Sequence, residues 1–296
     1  MDDNCFSRLN GYEVKDAKAR NKQVLNSHFY YYIDGVNGSD DNDGLTEATA
    51  FKTANKLLSK SNENNFDVRG RFISPGEYVV DANLFIGCAY HIESTVSGVT
   101  LNFTDPAGVG EIVFYGTHYN FKNITLKTSG HFRFETCAVG MSDVTIDAPY
   151  VTLMGSYIDS ATTITMPKML IYGTTGRIRN LISTHKKAND GCLIIQRGSN
   201  IRFYGTMTFS DATEIPGSIL MSIINSCVWM ELDSISLTNF TNGIKAVTSL
   251  VLLPRDIYST IASNTTGTPL LTGTGKSSAI FINDTMYTGG AYTTGS

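Results

Sequence analysis

Residues 123–126 read Asn-Ile-Thr-Leu, residues 143–146 read Asp-Val-Thr-Ile, and residues 163–166 read Thr-Ile-Thr-Met. Ile124, Val144 and Ile164 are therefore separated by 20 residues and then by 20 again. Two equal intervals carrying the same alternation of apolar and hydroxyl residues predict stacked coils rather than independent strands. One coil cannot cover its own apolar residues, so neighbours stack and bury them as a continuous column, with the threonines outward in ladders. Further members lie on either side: Val99-Thr100-Leu101, Leu181-Ile182-Ser183, Thr206-Met207-Thr208-Phe209 and Ser234-Ile235-Ser236-Leu237. The expected column runs Val99, Ile124, Val144, Ile164, Ile182, Met207 and Ile235, at intervals of 25, 20, 20, 18, 25 and 28, with loops taking up the excess.

The same texture, short β-prone segments punctuated by Gly, Asn, Ser and Asp, extends from about Phe72 to Asn283, and no further helix is predicted within it. An antiparallel sandwich would also give short alternating strands, but it needs hairpin turns between them. The main Asn-Gly sites, Asn37-Gly38 and Asn242-Gly243, do not recur at each coil. The expected fold class is all-β: a parallel β-helix over 66–283, followed by a C-terminal tail at 284–296.

A solenoid needs its first coil covered, because an open end exposes apolar side chains and unpaired strand edges. Residues 29–65 supply the parts: a β-prone Phe29–Ile33, a Gly/Asn/Asp turn at Asp34–Gly44, and a helical pattern near Ala50–Ser59. Ala50, Ala54, Leu57 and Leu58 share one face of that helix, and Thr46 or Thr49 is placed to cap it. It is assigned as the capping helix. Residues 10–26, with Val14, Ala17, Lys18 and Leu25 near helical spacing, predict a second, mostly polar helix within residues 1–28. That helix has too little apolar surface to bury alone, so it is expected to dock on other chains.

Charged residues are 17% of the chain against 42% hydrophobic, so the surface must be built largely from uncharged polar groups. Such a surface suits glycans or proteins. With a net charge of −4 and no Lys/Arg run, nucleic acid is not expected as a partner. The first residues lack a signal-peptide apolar stretch and no segment has the length of a membrane span, so a soluble protein that is neither exported nor membrane-inserted is expected. Cys5, Cys88, Cys137, Cys192 and Cys227 are dispersed, odd in number and without a CxxC pair, which reads as free thiols.

At this point two segments resemble known proteins. Tyr31 to Lys60, YYIDGVNGSDDNDGLTEATAFKTANKLLSK, resembles the entry motif of pectate-lyase-like right-handed parallel β-helix proteins. There an aromatic strand, a Gly-Ser-Asp turn, an Ala-Phe-x-Thr segment and a capping helix precede the coils. The match covers about 30 residues and speaks to architecture, since the fold hosts lyases, hydrolases and non-catalytic adhesins. The opening LNGYEVKDAKARN looks like the start of tail-fibre and baseplate-associated proteins of phages and prophages of Gram-positive bacteria. Together these imply a tail fibre or tailspike. Such a protein would be homotrimeric, fixed to the tail or baseplate through its N-terminus, part of a virion made in the bacterial cytoplasm, and turned towards a host-surface glycan or protein. A bacterial surface β-helix protein is the remaining class, although it would normally carry an export signal.

A tailspike can cleave the glycan it binds, which takes two carboxylates at about 5–10 Å. In the expected register Asp143 meets Asn123 and Thr163, and Asp147 meets Lys127 and Pro167, so neither has an acid above or below it. Period-2 alternation sends Trp229, Glu231 and Asp233 to one face and Met230 and Leu232 to the other. Glu231 and Asp233 are thus the candidate acids and Trp229 the candidate sugar-stacking residue. Arg177, Arg179, Lys186, Lys187 and Asp190 cluster in sequence without a lyase motif, and His185 sits among them. Asp40, Asp41 and Asp43 before Gly44 are candidate cation ligands, but an EF-hand register puts Ala50 where the bidentate Glu belongs. An Asx-turn network accounts for them as well. No cofactor is implied.

Overall fold

The computed structural model describes residues 8–9, 12–13, 30–64, 68–84, 89–104, 110–116, 118–160, 163–166, 168–185, 192–211, 219–267, 269–272, 279–283, 285–287 and 291–292. The described strands from Tyr31 onward form a β-solenoid of two long sheets, one of nine strands and one of fifteen, parallel throughout as far as Ile282. The nine-stranded sheet stacks Glu111–Tyr115, His131–Glu135, Tyr150–Met154, Lys168–Tyr172, Leu193–Gln196, Ile219–Ile224 and Asn242–Val247 in successive parallel registers. In the other sheet, strands such as His118–Lys127, Ala138–Asp147, Thr175–His185 and Asn200–Asp211 turn a corner midway. Asn123, Asp143, Asn180 and Gly205 occupy the left-handed region there (φ 53, 53, 50 and 78°). Each bent strand therefore presents two outward faces, and the nine-stranded sheet presents a third.

The corner is built residue by residue. The Asn180 side-chain oxygen accepts the Thr206 amide of the next coil at 2.9 Å, and a Cβ on Gly205 would stand 2.1 Å from that oxygen. Gly205 is required both for its φ and for this close approach.

The expected column is present with one correction. Val144 pairs with both Ile124 and Ile164, and the column continues through Leu181, Met207 and Ile235, all buried. Leu181, not Ile182, stands below Ile164. Asn180 ends the preceding run in a left-handed turn, so the inward alternation restarts one residue earlier than the 18-residue interval implies.

A second column escaped the sequence reading. Thr136, Gly155, Gly173, Gly198, Asn225 and Thr248 adopt positive φ where the chain leaves the nine-stranded sheet. Each precedes a buried Cys137, Ser156, Thr174, Ser199, Ser226 or Ser249. The hydroxyls answer the backbone groups freed by the turn. Thr174 Oγ1 donates to the Tyr172 carbonyl (3.1 Å) and Ser199 Oγ to that of Gln196 (2.6 Å), while Ser199 Oγ also accepts the Thr174 amide (3.2 Å). Ser249 Oγ donates to the Val247 carbonyl (2.7 Å) and accepts the Ser226 amide (3.2 Å). Burial pushes the Cys137 thiol up, consistent with an inert member of the same column.

Both ends of the stack differ in detail from expectation. Thr46 caps only a 3-10 turn, Glu47–Thr49, and Ala50 is extended; the capping helix is Ala54–Asn64, with Thr53 Oγ1 accepting the Lys56 amide. Ala54, Leu57 and Leu58 are buried as expected. Leu57 lies so close over the first coil that a Cβ on Gly70 would meet its Cδ2 at 2.4 Å. At the far end a helix, Arg255–Ser263, contradicts the all-strand expectation and buries Ile257, Ile261 and Ala262. It packs on Cys227–Thr238, covering the last strand of the corner face. Residues 284–296 are not a plain tail: Thr285–Tyr287 and Ala291–Tyr292 add antiparallel strands to Ala279–Ile282 and Leu270–Thr272, ending the parallel run of each sheet.

In the N-terminal segment Tyr12–Glu13 is extended and pairs antiparallel with Arg8–Leu9, so the predicted helix does not begin there; the rest of residues 10–26 lies outside the described residues. No helix among the described residues is long and apolar enough to cross a membrane.

Candidate functional site

The strands Ala138–Asp147, Tyr157–Ser160, Thr175–His185, Asn200–Asp211 and Cys227–Thr238 project one strip of side chains outward. Asp159 pairs with Arg177, Arg177 with Arg202, Arg202 with Trp229 and Trp229 with Leu252, one residue per rung. Two positions along, Arg179 pairs with Tyr204 and Tyr204 with Glu231. Tyr157, 45% exposed, completes the aromatic set.

Within the strip the charges are unevenly held. Arg177 donates to both Asp159 oxygens at 3.2 and 2.8 Å, and its guanidinium is held above the usual arginine value by that carboxylate. Arg202 stands 3.6 Å from Glu231, with both side chains more than half exposed. Arg179 lies over the Tyr204 ring at 5.8 Å, and no carboxylate among the described residues is paired with it. Beside the strip runs a groove of about 610 Å³, lined by Asn200, Asn225, Cys227, Thr248, Leu250 and Ala279 among others. Its walls are uncharged hydrogen-bonding and apolar groups, and it is shallow and open to solvent.

The structure brings Trp229, Glu231 and Asp233 to the outward side of one strand, with Met230 and Leu232 buried, as the alternation predicts. It does not set a second acid against Glu231 on the adjoining rung, where Tyr204 stands. Asp233 falls at a register shift, since Gly205 pairs with Leu232 and Thr206 with Ser234. Asp147 pairs with Lys127, as expected. Lys186, Lys187 and Asp190 lie outside the described residues.

The Asp-rich turn is closed on its own backbone. Asp40 accepts the Lys52 and Thr53 amides and the Thr53 hydroxyl, and Asp43 accepts the Leu45 amide and the Thr49 hydroxyl. The Thr49 hydroxyl and the Leu45 amide hold the Asp43 carboxyl below its ordinary value. Asp41 is exposed at the tip. Burial acts to raise Asp34, but amide donation from Asn37 and Val36, with Ser74 and the Asn37 side chain, outweighs it and leaves that carboxyl lowered. These bonds fix the loop that seats Phe51 and the first turn. Among the described residues no group of three or more His, Cys, Asp or Glu side chains is gathered to hold a metal ion.

Sequence reasoning missed a second charged group, on the outer side of the nine-stranded sheet. His131 Nε2 meets Glu111 Oε1 at 2.8 Å and stacks on Tyr150 at 4.2 Å between ring centres. Arg133 stands 3.6 Å from Glu111 and also binds Glu135. These four ionisable side chains are only 18–29% exposed although they point away from the core. The signal was present in the alternation of His131-Phe132-Arg133-Phe134-Glu135, which places all three polar residues on one face. Both carboxylates here contact the same guanidinium, an arrangement that ties coils together rather than one that frees an acid and a base.

Comparison of the chain with family models, with curated proteins and with solved structures finds no match.

Proposed function

We propose that the chain is a host-recognition fibre of the tail-fibre or tailspike type, carried by a phage or phage-like particle of Gram-positive bacteria. In this reading it forms a homotrimer, is fixed to the tail or baseplate through residues 1–28, and turns its coils towards the cell surface. The observation that carries the reading is the Arg–aromatic strip and its groove, displayed on a rigid parallel stack. A stack of rungs about 4.8 Å apart presents one outward side chain per rung, which suits an extended surface polymer. The resemblance of the opening residues and of the Tyr31–Lys60 entry motif supplies the tail context. Right-handed coiling is part of the proposal and follows the strong rule for parallel crossovers.

Two measurements test it together. Light scattering on the intact chain is expected to give three times the 32.3 kDa chain mass. A fluorescently labelled chain is expected to stain a subset of Gram-positive strains and to compete with the particle for adsorption. A monomer that stains none of a broad strain panel would overturn the reading.

A further inference from the structure

We infer that the Arg–aromatic strip takes an acidic glycan laid along the solenoid axis, with sugar faces on Tyr157, Tyr204 and Trp229 and anionic substituents on Arg179 and Arg202. The inference rests on the recognition role proposed above and names the chemistry of the ligand. Charge complementarity decides the class. The chain as a whole is net −4, yet three of its ten arginines, Arg177, Arg179 and Arg202, emerge on two neighbouring strands. Against them stand Asp159 and Glu231 on the paired rungs, with Asp233 also outward at the register shift beyond Glu231.

The three guanidiniums are not equivalent. Arg177 is engaged by Asp159 through both oxygens and serves the scaffold. Arg179 meets only a ring face, and the 3.6 Å Arg202–Glu231 contact lies between two well-solvated groups that a ligand anion can displace. A guanidinium offers a planar fork that matches carboxylate, sulfate or phosphate oxygens. Rings at Tyr204 and Trp229 lie one rung from Arg179 and Arg202 respectively, so each ring has a guanidinium beside it on the neighbouring coil. The adjoining groove, with Asn200 and Asn225 on its walls, supplies partners for uncharged sugar hydroxyls. A nucleic acid would require a longer unbroken row of cations, and here Asp159 and Glu231 interrupt it.

The test is a glycan array carrying matched neutral, carboxylated, sulfated and phosphorylated chains, with a single-stranded oligonucleotide as a further spot and the labelled intact chain as analyte. Signal is expected on anionic glycans alone, falling as salt rises from about 50 to about 500 mM. The Arg179→Ala/Arg202→Ala double variant should lose about tenfold or more of that affinity, and Trp229→Ala a smaller factor, with unchanged circular dichroism. Binding to neutral glycans at equal strength, preferential binding to the oligonucleotide, or double-variant binding equal to that of the parent chain would overturn the inference. An array without signal would overturn it too. Cell staining that persists in the double variant removes the acidic-glycan assignment and leaves the recognition role standing; loss of both array and cell binding in the parent chain removes both.

Discussion

Two outward faces of the same solenoid treat their charges in opposite ways. On the nine-stranded sheet Glu111, His131, Arg133 and Glu135 close on one another and lie only 18–29% exposed. On the strip running past Trp229, Arg202 and Glu231 are 52% and 59% exposed and stand 3.6 Å apart. The scaffold beneath is equivalent: parallel rungs, alternate residues buried, aliphatic or aromatic columns inside. In the proposed reading, this difference assigns binding to the exposed strip. Charges that satisfy one another cross-link coils, and charges left half-satisfied on an exposed ladder remain available to a partner.

The largest expected effect strikes both faces at once by breaking the shared core. Leu57→Asp places a charge under the capping helix at a site now 1% exposed, and a cost of about 3–5 kcal/mol is expected. Urea unfolding measures it, and an unchanged midpoint would contradict the packing of that helix against Gly70. Within the closed face, Arg133→Ala leaves Glu111 and Glu135 without their shared cation. Discounted for partial exposure, a loss of about 1 kcal/mol is expected by thermal melting, partly recovered when Glu135→Gln is added.

A smaller, pH-dependent effect separates the faces from the entry loop. The Asp34 carboxyl is lowered in the folded chain, so its stabilisation is complete above the ordinary value of 3.8 and is lost as pH falls through the lower folded value. The Asp34→Asn variant should therefore melt below the parent at neutral pH and converge with it in acid. Curves that stay parallel down to strongly acidic pH would remove Asp34 from the loop's support.

Much of the scaffold was legible because its determinants are periodic. The 20-residue interval placed Ile124, Val144 and Ile164 in one column, and helical spacing placed Leu57 and Leu58 in the core. What escaped was set by corners rather than by periods. Asn180 moved Leu181 into the column by adopting the left-handed region, a choice that Asn permits without announcing. The hydroxyl column did leave a trace, in Gly155-Ser156, Gly173-Thr174, Gly198-Ser199, Asn225-Ser226 and Thr248-Ser249. Its intervals vary because loops intervene, so a fixed-period search passes over it. Arg255–Ser263 carried its own signal in Pro254 followed by Ile257, Tyr258, Ile261 and Ala262 at helical spacing, masked by the β texture on both sides. Of the site, the strand Trp229–Asp233 was legible from alternation alone. Its arginine partners come from rungs 27 and more residues away, and only register brings them alongside.

The most direct test of the contrast between the faces pairs Arg202→Ala with Arg133→Ala in one experiment, scoring each intact chain for thermal stability and for staining of a strain that the parent chain binds. The account predicts opposite outcomes. Arg202→Ala should change stability by less than about 0.5 kcal/mol while losing most of the staining, and Arg133→Ala should lower stability while staining as the parent does. If both variants lose staining only in proportion to lost stability, or if Arg202→Ala stains like the parent, the division into a structural face and a recognition face is contradicted.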